Sequence, residues 1–183
     1  MENTIWLNDV SILFQSILKK TSFKILSKLS VGIHILPDVV EKINAHASTC
    51  AKCRAYKRKV LEHLQELDTF FENNNFKRVD DISVLDQNKL RYSWITRVRP
   101  ARDHLINDHG YYLNGTFRFR VGVLGFMIGI ILYLLRVPSW YFIFSLILAI
   151  LGYLIGDSLE KKYEKKGMII RKISPSSFKS SEG

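Results

Sequence analysis

Apolar residues at Ile5, Trp6, Val10, Leu13, Phe14, Ile17 and Leu18 recur at helical spacing, with Asp9, Gln15, Lys19 and Lys20 largely off the stripe. A second amphipathic stretch carries Phe23, Leu26, Leu29 and Ile33 and ends before Pro37. Asp38-Val39-Val40-Glu41 sets an Asx cap three residues ahead of a carboxylate, a helix start. From there to Asn73 the chain has neither Gly nor Pro. The stripe Val39, Ile43, Ala47, Cys50, Val60, Leu64, Leu67, Phe71 predicts one helix of about 50 Å, ended by "ENNNF" (72–76). A further helix is predicted over Val84 to Thr96, and Pro100 opens a short one that Gly110 stops. No stretch alternates as a strand does, so the predicted fold class is all-α.

The pattern changes after Arg120. Up to Asp157 the only charged residue is Arg136, and two apolar runs, Val121 to Leu135 and Ser139 to Gly156, flank Arg136-Val137-Pro138. A helix needs about 20 apolar residues to cross a bilayer. Within the range of about 17–25 the second run qualifies outright, and the first reaches that length only by borrowing Phe117 and Phe119 and letting Arg118 and Arg120 snorkel. The expectation is a transmembrane hairpin with spans of about 117–135 and 139–156. Arg118 and Arg120 before it, and Lys161, Lys162, Lys165 and Lys166 after it, orient both termini to the cytoplasm by the positive-inside rule. The expected organisation is thus a cytoplasmic helical domain (1–116), the hairpin (117–156) and a basic cytoplasmic tail (157–183), disordered from about Ser174. The start of the chain has no basic n-region or small-residue cleavage site, so no signal peptide is expected.

The net charge of +10 suits anionic lipid headgroups or RNA equally. Two cysteines in a reducing compartment are expected as thiols or metal ligands, not as a disulfide.

Two constellations could carry chemistry. In "HASTCAKC", His46, Cys50 and Cys53 fall at i, i+4 and i+7, and such donors suit zinc. The H-x3-C-x2-C core resembles that of zinc-binding anti-sigma factors, helical domains anchored at the inner membrane whose fourth ligand is an upstream histidine. Here the candidates for that place are His34 and His63. Cys50 and Cys53 also continue the apolar stripe as small hydrophobes, and the expectation is no metal and no cofactor. The second constellation is "RPARDH". Arg99 and His104 have the R-x4-H spacing of metal-independent ribonucleases, in which histidine moves a proton near neutrality and arginine grips phosphate. Pro100 favours an extended Arg99.

A small helical domain with R-x4-H and a two-span hairpin resembles the membrane accessory protein of type VI-B CRISPR systems, described as divergent members of the HEPN superfamily. The resemblance implies a HEPN-like bundle in a homo-oligomeric, pore-like antiviral effector of the bacterial inner membrane. It implies partnership with an RNA-guided ribonuclease, and RNA or a nucleotide as ligand beside membrane lipid. Nuclease members carry a polar residue where this chain has Pro100, which points to a motif that binds phosphate or braces an interface without cleaving. The alternatives are a membrane-anchored zinc anti-sigma factor and a membrane-tethered HEPN ribonuclease. Gly125 with Gly129, and Gly152 with Gly156, are G-x-x-x-G pairs, expected to pack helices within or between chains.

Overall fold

The structure is a computed structural model that describes residues 2–74, 76, 78–134 and 141–172. The described residues are all-α apart from two strands of two residues each, and they divide into two compact units: those up to His109 together with Arg171 and Lys172, and Gly110–Ile170. The Arg136-Val137-Pro138 turn and the tail from Ser174 lie outside the described residues.

The first unit holds α1 (Glu2–Lys20), α2 (Phe23–Lys28), α3 (Leu36–His46), α4 (Ala51–Glu72), α5 (Val84–Ser93) and α6 (Arg99–His109). Much of the expected stripe lies in its core, where Val10, Phe14 and Ile17 of α1, Val39 and Ile43 of α3, and Val60, Leu64, Leu67 and Phe71 of α4 are buried, whereas Ile5 is exposed. Helix α4 is central, packing on α1, on α3 and on the turn that leads into α6. Ser22 caps α2, accepting the Ile25 N–H at 3.3 Å. This helix ends earlier than expected because Ser30 (φ 57°) and Gly32 (φ 71°) both turn the chain through the left-handed region.

Two departures matter for function. The single 50 Å helix is in fact α3 and α4, broken between His46 and Ala51. No Gly or Pro is needed there. Ser48, Thr49 and Cys50 are poor helix formers whose side chains compete for backbone groups. Thr49 Oγ1 and the Thr49 and Cys50 amides all turn back to the His46 carbonyl, at 3.3, 3.1 and 2.8 Å. The second departure is Arg99, which is helical (φ −55°, ψ −42°), not extended. A proline inside a helix lacks its N–H and crowds the carbonyl four residues back. The π turn Trp94–Val98 just before Pro100 widens the helix there, with the Arg99 amide bonded to the Trp94 carbonyl. The chain therefore runs from α5 into α6 without an extended break.

The second unit pairs α7 (Thr116–Leu134) with α8 (Tyr141–Lys165), and β1 (Tyr112–Leu113) runs parallel to β2 (Ile169–Ile170). Glycines bring the helices together. A Cβ on Gly125 would lie 2.6 Å from the Leu148 carbonyl oxygen, one on Gly152 2.7 Å from that of Val121, and one on Gly156 2.7 Å from the Arg118 Cα. Three of the four G-x-x-x-G glycines thus serve contact within the chain, and the surroundings of Gly129 are not described. Turned outward are Leu124, Phe126, Ile131, Leu146, Ile150 and Leu154 among others.

The expectation of two spans in a bacterial inner membrane is corrected here: among the described residues, no helix is long and apolar enough to cross a membrane. The uncharged part of α7, Val121–Leu134, has 14 residues, about 21 Å of helix, and that of α8, Tyr141–Gly156, has 16, about 24 Å. A bilayer core is about 30 Å thick. Arg118, expected to snorkel, is held by two carboxylates. It pairs with Asp157 at 2.7 Å and with the buried Glu160 at 3.3 Å, while Glu160 Oε1 accepts the Gly115 N–H at 2.6 Å. With the spans, the positive-inside argument that placed both termini in the cytoplasm loses its basis.

Candidate metal centre

Helix α4 begins with a sulfur. Cys50 is its N-cap in extended conformation (φ −118°, ψ 114°), and its Sγ accepts the Cys53 N–H at 3.4 Å. One turn on, the Cys53 side chain points into the core and is fully buried. The His46–Cys50 turn that breaks α3 from α4 is what places Cys50 at this cap, and Arg54 Nε braces it by donating to the Ala47 carbonyl at 3.3 Å.

Helix α6 supplies the opposing face. His104 is buried, with Nε2 3.2 Å from Cys50 Sγ, and His109 places its Nε2 3.4 Å from Cys53 Sγ. One donor atom from each of Cys50, Cys53, His104 and His109 can be chosen so that all four lie within 4.8 Å of one another. A tetrahedral zinc with Zn–N bonds of about 2.0 Å and Zn–S bonds of about 2.3 Å spaces its ligand atoms roughly 3.3–3.8 Å apart. The cluster needs only small side-chain adjustments to reach that spacing. C-x2-C with H-x4-H is also a zinc-ligand spacing, and four protein donors fill a tetrahedral shell.

The surroundings suit the same role. Asp108, one turn beyond His104, accepts the Nδ1–H of that ring, which leaves Nε2 to face the sulfurs. A carboxylate behind a ligating imidazole fixes its orientation and raises its basicity. Lys52 reaches Asp108 at 3.4 Å, and the bond from His104 is the main cause holding the Asp108 carboxyl below its ordinary value. The two thiols differ. The Cys53 amide and the nearby histidines bring Cys50 down to about 6, whereas burial pushes Cys53 up to about 12. A cation at the centre would offset that burial cost for the Cys53 thiolate.

Each residue singled out in the sequence has a definite place. Cys50 and Cys53 are in the cluster. His46 is not one of the four donors: its ring stacks on that of His109, centroids 4.0 Å apart, and burial is the main cause keeping it below the ordinary histidine value. His34 meets Ser27 Oγ at 2.6 Å and His63 meets Ser93 Oγ at 2.9 Å, both away from the cluster. Arg99 is half-exposed, paired with Asp103 at 3.7 Å, and borders with Tyr56, Pro100 and His104 an open groove of about 540 Å³. His109 went unremarked in the sequence. Its H-x4-H spacing from His104 is plain, but His104 lies 51 positions beyond Cys53, far more than between the ligand pairs of a compact zinc motif. Among known proteins, no family model, curated protein or solved structure matches the chain.

Proposed function

We propose that the chain is a zinc-organised helical binding protein, in which one metal ion clamps α6 to the start of α4. The observation that carries this reading is the convergence of Cys50, Cys53, His104 and His109 within 4.8 Å. Four protein donors leave no open position for water or substrate, the arrangement of a structural rather than a hydrolytic zinc. Its role is to hold a surface in shape for association. An oligomeric effector acting beside an RNA-guided ribonuclease is one task such a module can serve. That narrower reading rests on Arg99 and His104.

Zinc and ribonuclease chemistry compete for one atom. A metal-bound Nε2 of His104 has no lone pair left to move a proton, so the R-x4-H motif cannot cleave RNA while the site is filled. The test is elemental analysis of the purified full chain, together with cobalt substitution. One zinc per chain and a tetrahedral cobalt–thiolate spectrum are expected, both lost in Cys50→Ser and His109→Ala and kept in His46→Ala. A metal-free wild type that cleaves RNA, with cleavage abolished by His104→Ala, would replace this reading with the ribonuclease.

A further inference from the structure

We propose that Cys50 and Cys53 are also a thiol–disulfide exchange site for low-molecular-weight disulfides, and that its closure dismantles the metal centre. The consequence for the metal rests on the zinc reading above; the thiol chemistry stands on the geometry of the pair. The two sulfurs lie within 4.8 Å of each other in the first turn of α4. Access to them is unequal: Cys50 is partly exposed at the cap, whereas Cys53 has none of its surface exposed. A small disulfide can therefore reach Cys50 and not Cys53. Cys53 in turn has the Cys50 sulfur beside it. Cys50 lies at the N-cap, outside the regular helix, so its side chain can swing toward Cys53 without breaking the helical hydrogen bonds of α4.

The exchange balances in two steps. Cys50 thiolate attacks one sulfur of R–S–S–R, forming Cys50–S–S–R and releasing R–S⁻, which takes up a proton. Cys53, a thiolate in the zinc-loaded chain and deprotonated as it reacts in the metal-free one, attacks the Cys50 sulfur, forming the Cys50–Cys53 disulfide and expelling the second R–S⁻, which takes up a proton. Two protein thiols are oxidised and one disulfide is reduced to two thiols. The metal loses both thiolate donors, and the two imidazoles that remain bind zinc far more weakly. The chemical class of the regulator is thus an oxidised small thiol, with glutathione disulfide as the probe.

The experiment treats the full, zinc-loaded chain with glutathione disulfide, measuring zinc before and during oxidation with a chromophoric chelator and following intact mass. The expected result is a mass lower by two hydrogens, zinc released in step with it, and both reversed by reductant plus zinc. Against metal-free wild type, since each variant lacks a zinc donor, Cys53→Ser should trap one glutathione, mapped to Cys50, while Cys50→Ser should react at least about tenfold more slowly. A zinc-loaded wild type that keeps its thiols and its metal, or glutathione mapped to Cys53 in place of Cys50, would overturn the exchange site and leave the metal reading intact. A chain that carries no zinc yet closes the Cys50–Cys53 disulfide would support the exchange site and overturn the metal reading.

Discussion

His63 has none of its surface exposed, and its Nδ1 is 2.9 Å from Ser93 Oγ. Burial, with the Arg97 charge, brings its pKa down to about 4, against the opposing pull of the Val31 backbone and Glu66. The folded value lies below the unfolded one, so the unfolded chain takes up the proton first. The stability His63 supports is whole above about pH 6.5 and is lost as pH falls toward about 4, a limiting loss of about 3 kcal/mol. Acid also strips a zinc site, so the comparison must be internal. Denaturant unfolding of His63→Leu should lose less stability between about pH 7 and about pH 4.5 than wild type does; parallel curves would show that His63 is not the titrating group. A second residue-scale prediction concerns Asp108, which orients His104 without being a donor itself. Asp108→Ala should keep one zinc per chain while weakening its affinity about 10–100-fold in chelator competition. Unchanged affinity would remove Asp108 from the site.

At the scale of elements, the metal centre depends on two irregularities, the α3–α4 break and the π turn ahead of α6. A π turn admits one extra residue and so rotates the next stretch of helix by about 100° relative to a regular continuation. That rotation contributes to setting which face of α6 meets α4. Trp94 opens the turn, and its ring lies against Gly32: a Cβ on Gly32 would fall 2.1 Å from it, at a φ of 71°. Gly32→Ala should therefore cost about 2–4 kcal/mol, combining left-handed strain with a clash in packed surroundings. By displacing Trp94 it should also weaken zinc binding, although Gly32 is no ligand. Stability and affinity measured on the same preparation test this, and a drop in stability with zinc affinity untouched would uncouple the turn from the site.

For the whole molecule, zinc that binds only the folded state adds stability by mass action. At a free concentration about 1,000-fold above Kd the gain is about 4 kcal/mol. In a unit of roughly a hundred residues, 1 kcal/mol moves Tm by about 4–8 °C. Chelation should thus lower the melting temperature of the chain by more than about 10 °C, and added zinc should restore it. A melting curve indifferent to chelator would mean that α4 and α6 hold together by packing alone.

The all-α class and most helices of the first unit were legible in the sequence, because helical periodicity is a local signal. Val60, Leu64 and Leu67 lie on one face of α4 whatever else the chain does, and they are buried. Gly110, at a φ of 71°, ends α6 as the sequence suggested. The cysteines were legible as a pair of donors, since C-x2-C lies within one helical turn. Their histidine partners were not. His46 shares the apparent stripe of Cys50 and Cys53 only if the helix is unbroken, and the Ala47–Cys50 turn breaks it. Along the chain His104 stands beside Arg99, five positions away, whereas the fold brings it to Cys50, 54 positions away. The membrane reading failed for a related reason. Apolar composition is counted along the chain, but where the helix starts and what Arg118 pairs with determine how much of it is uncharged helix. Periodicity is written by neighbours along one helix. Which donors share a metal depends on how α6 is rotated against α4, and that is set by a break and a π turn far apart in sequence.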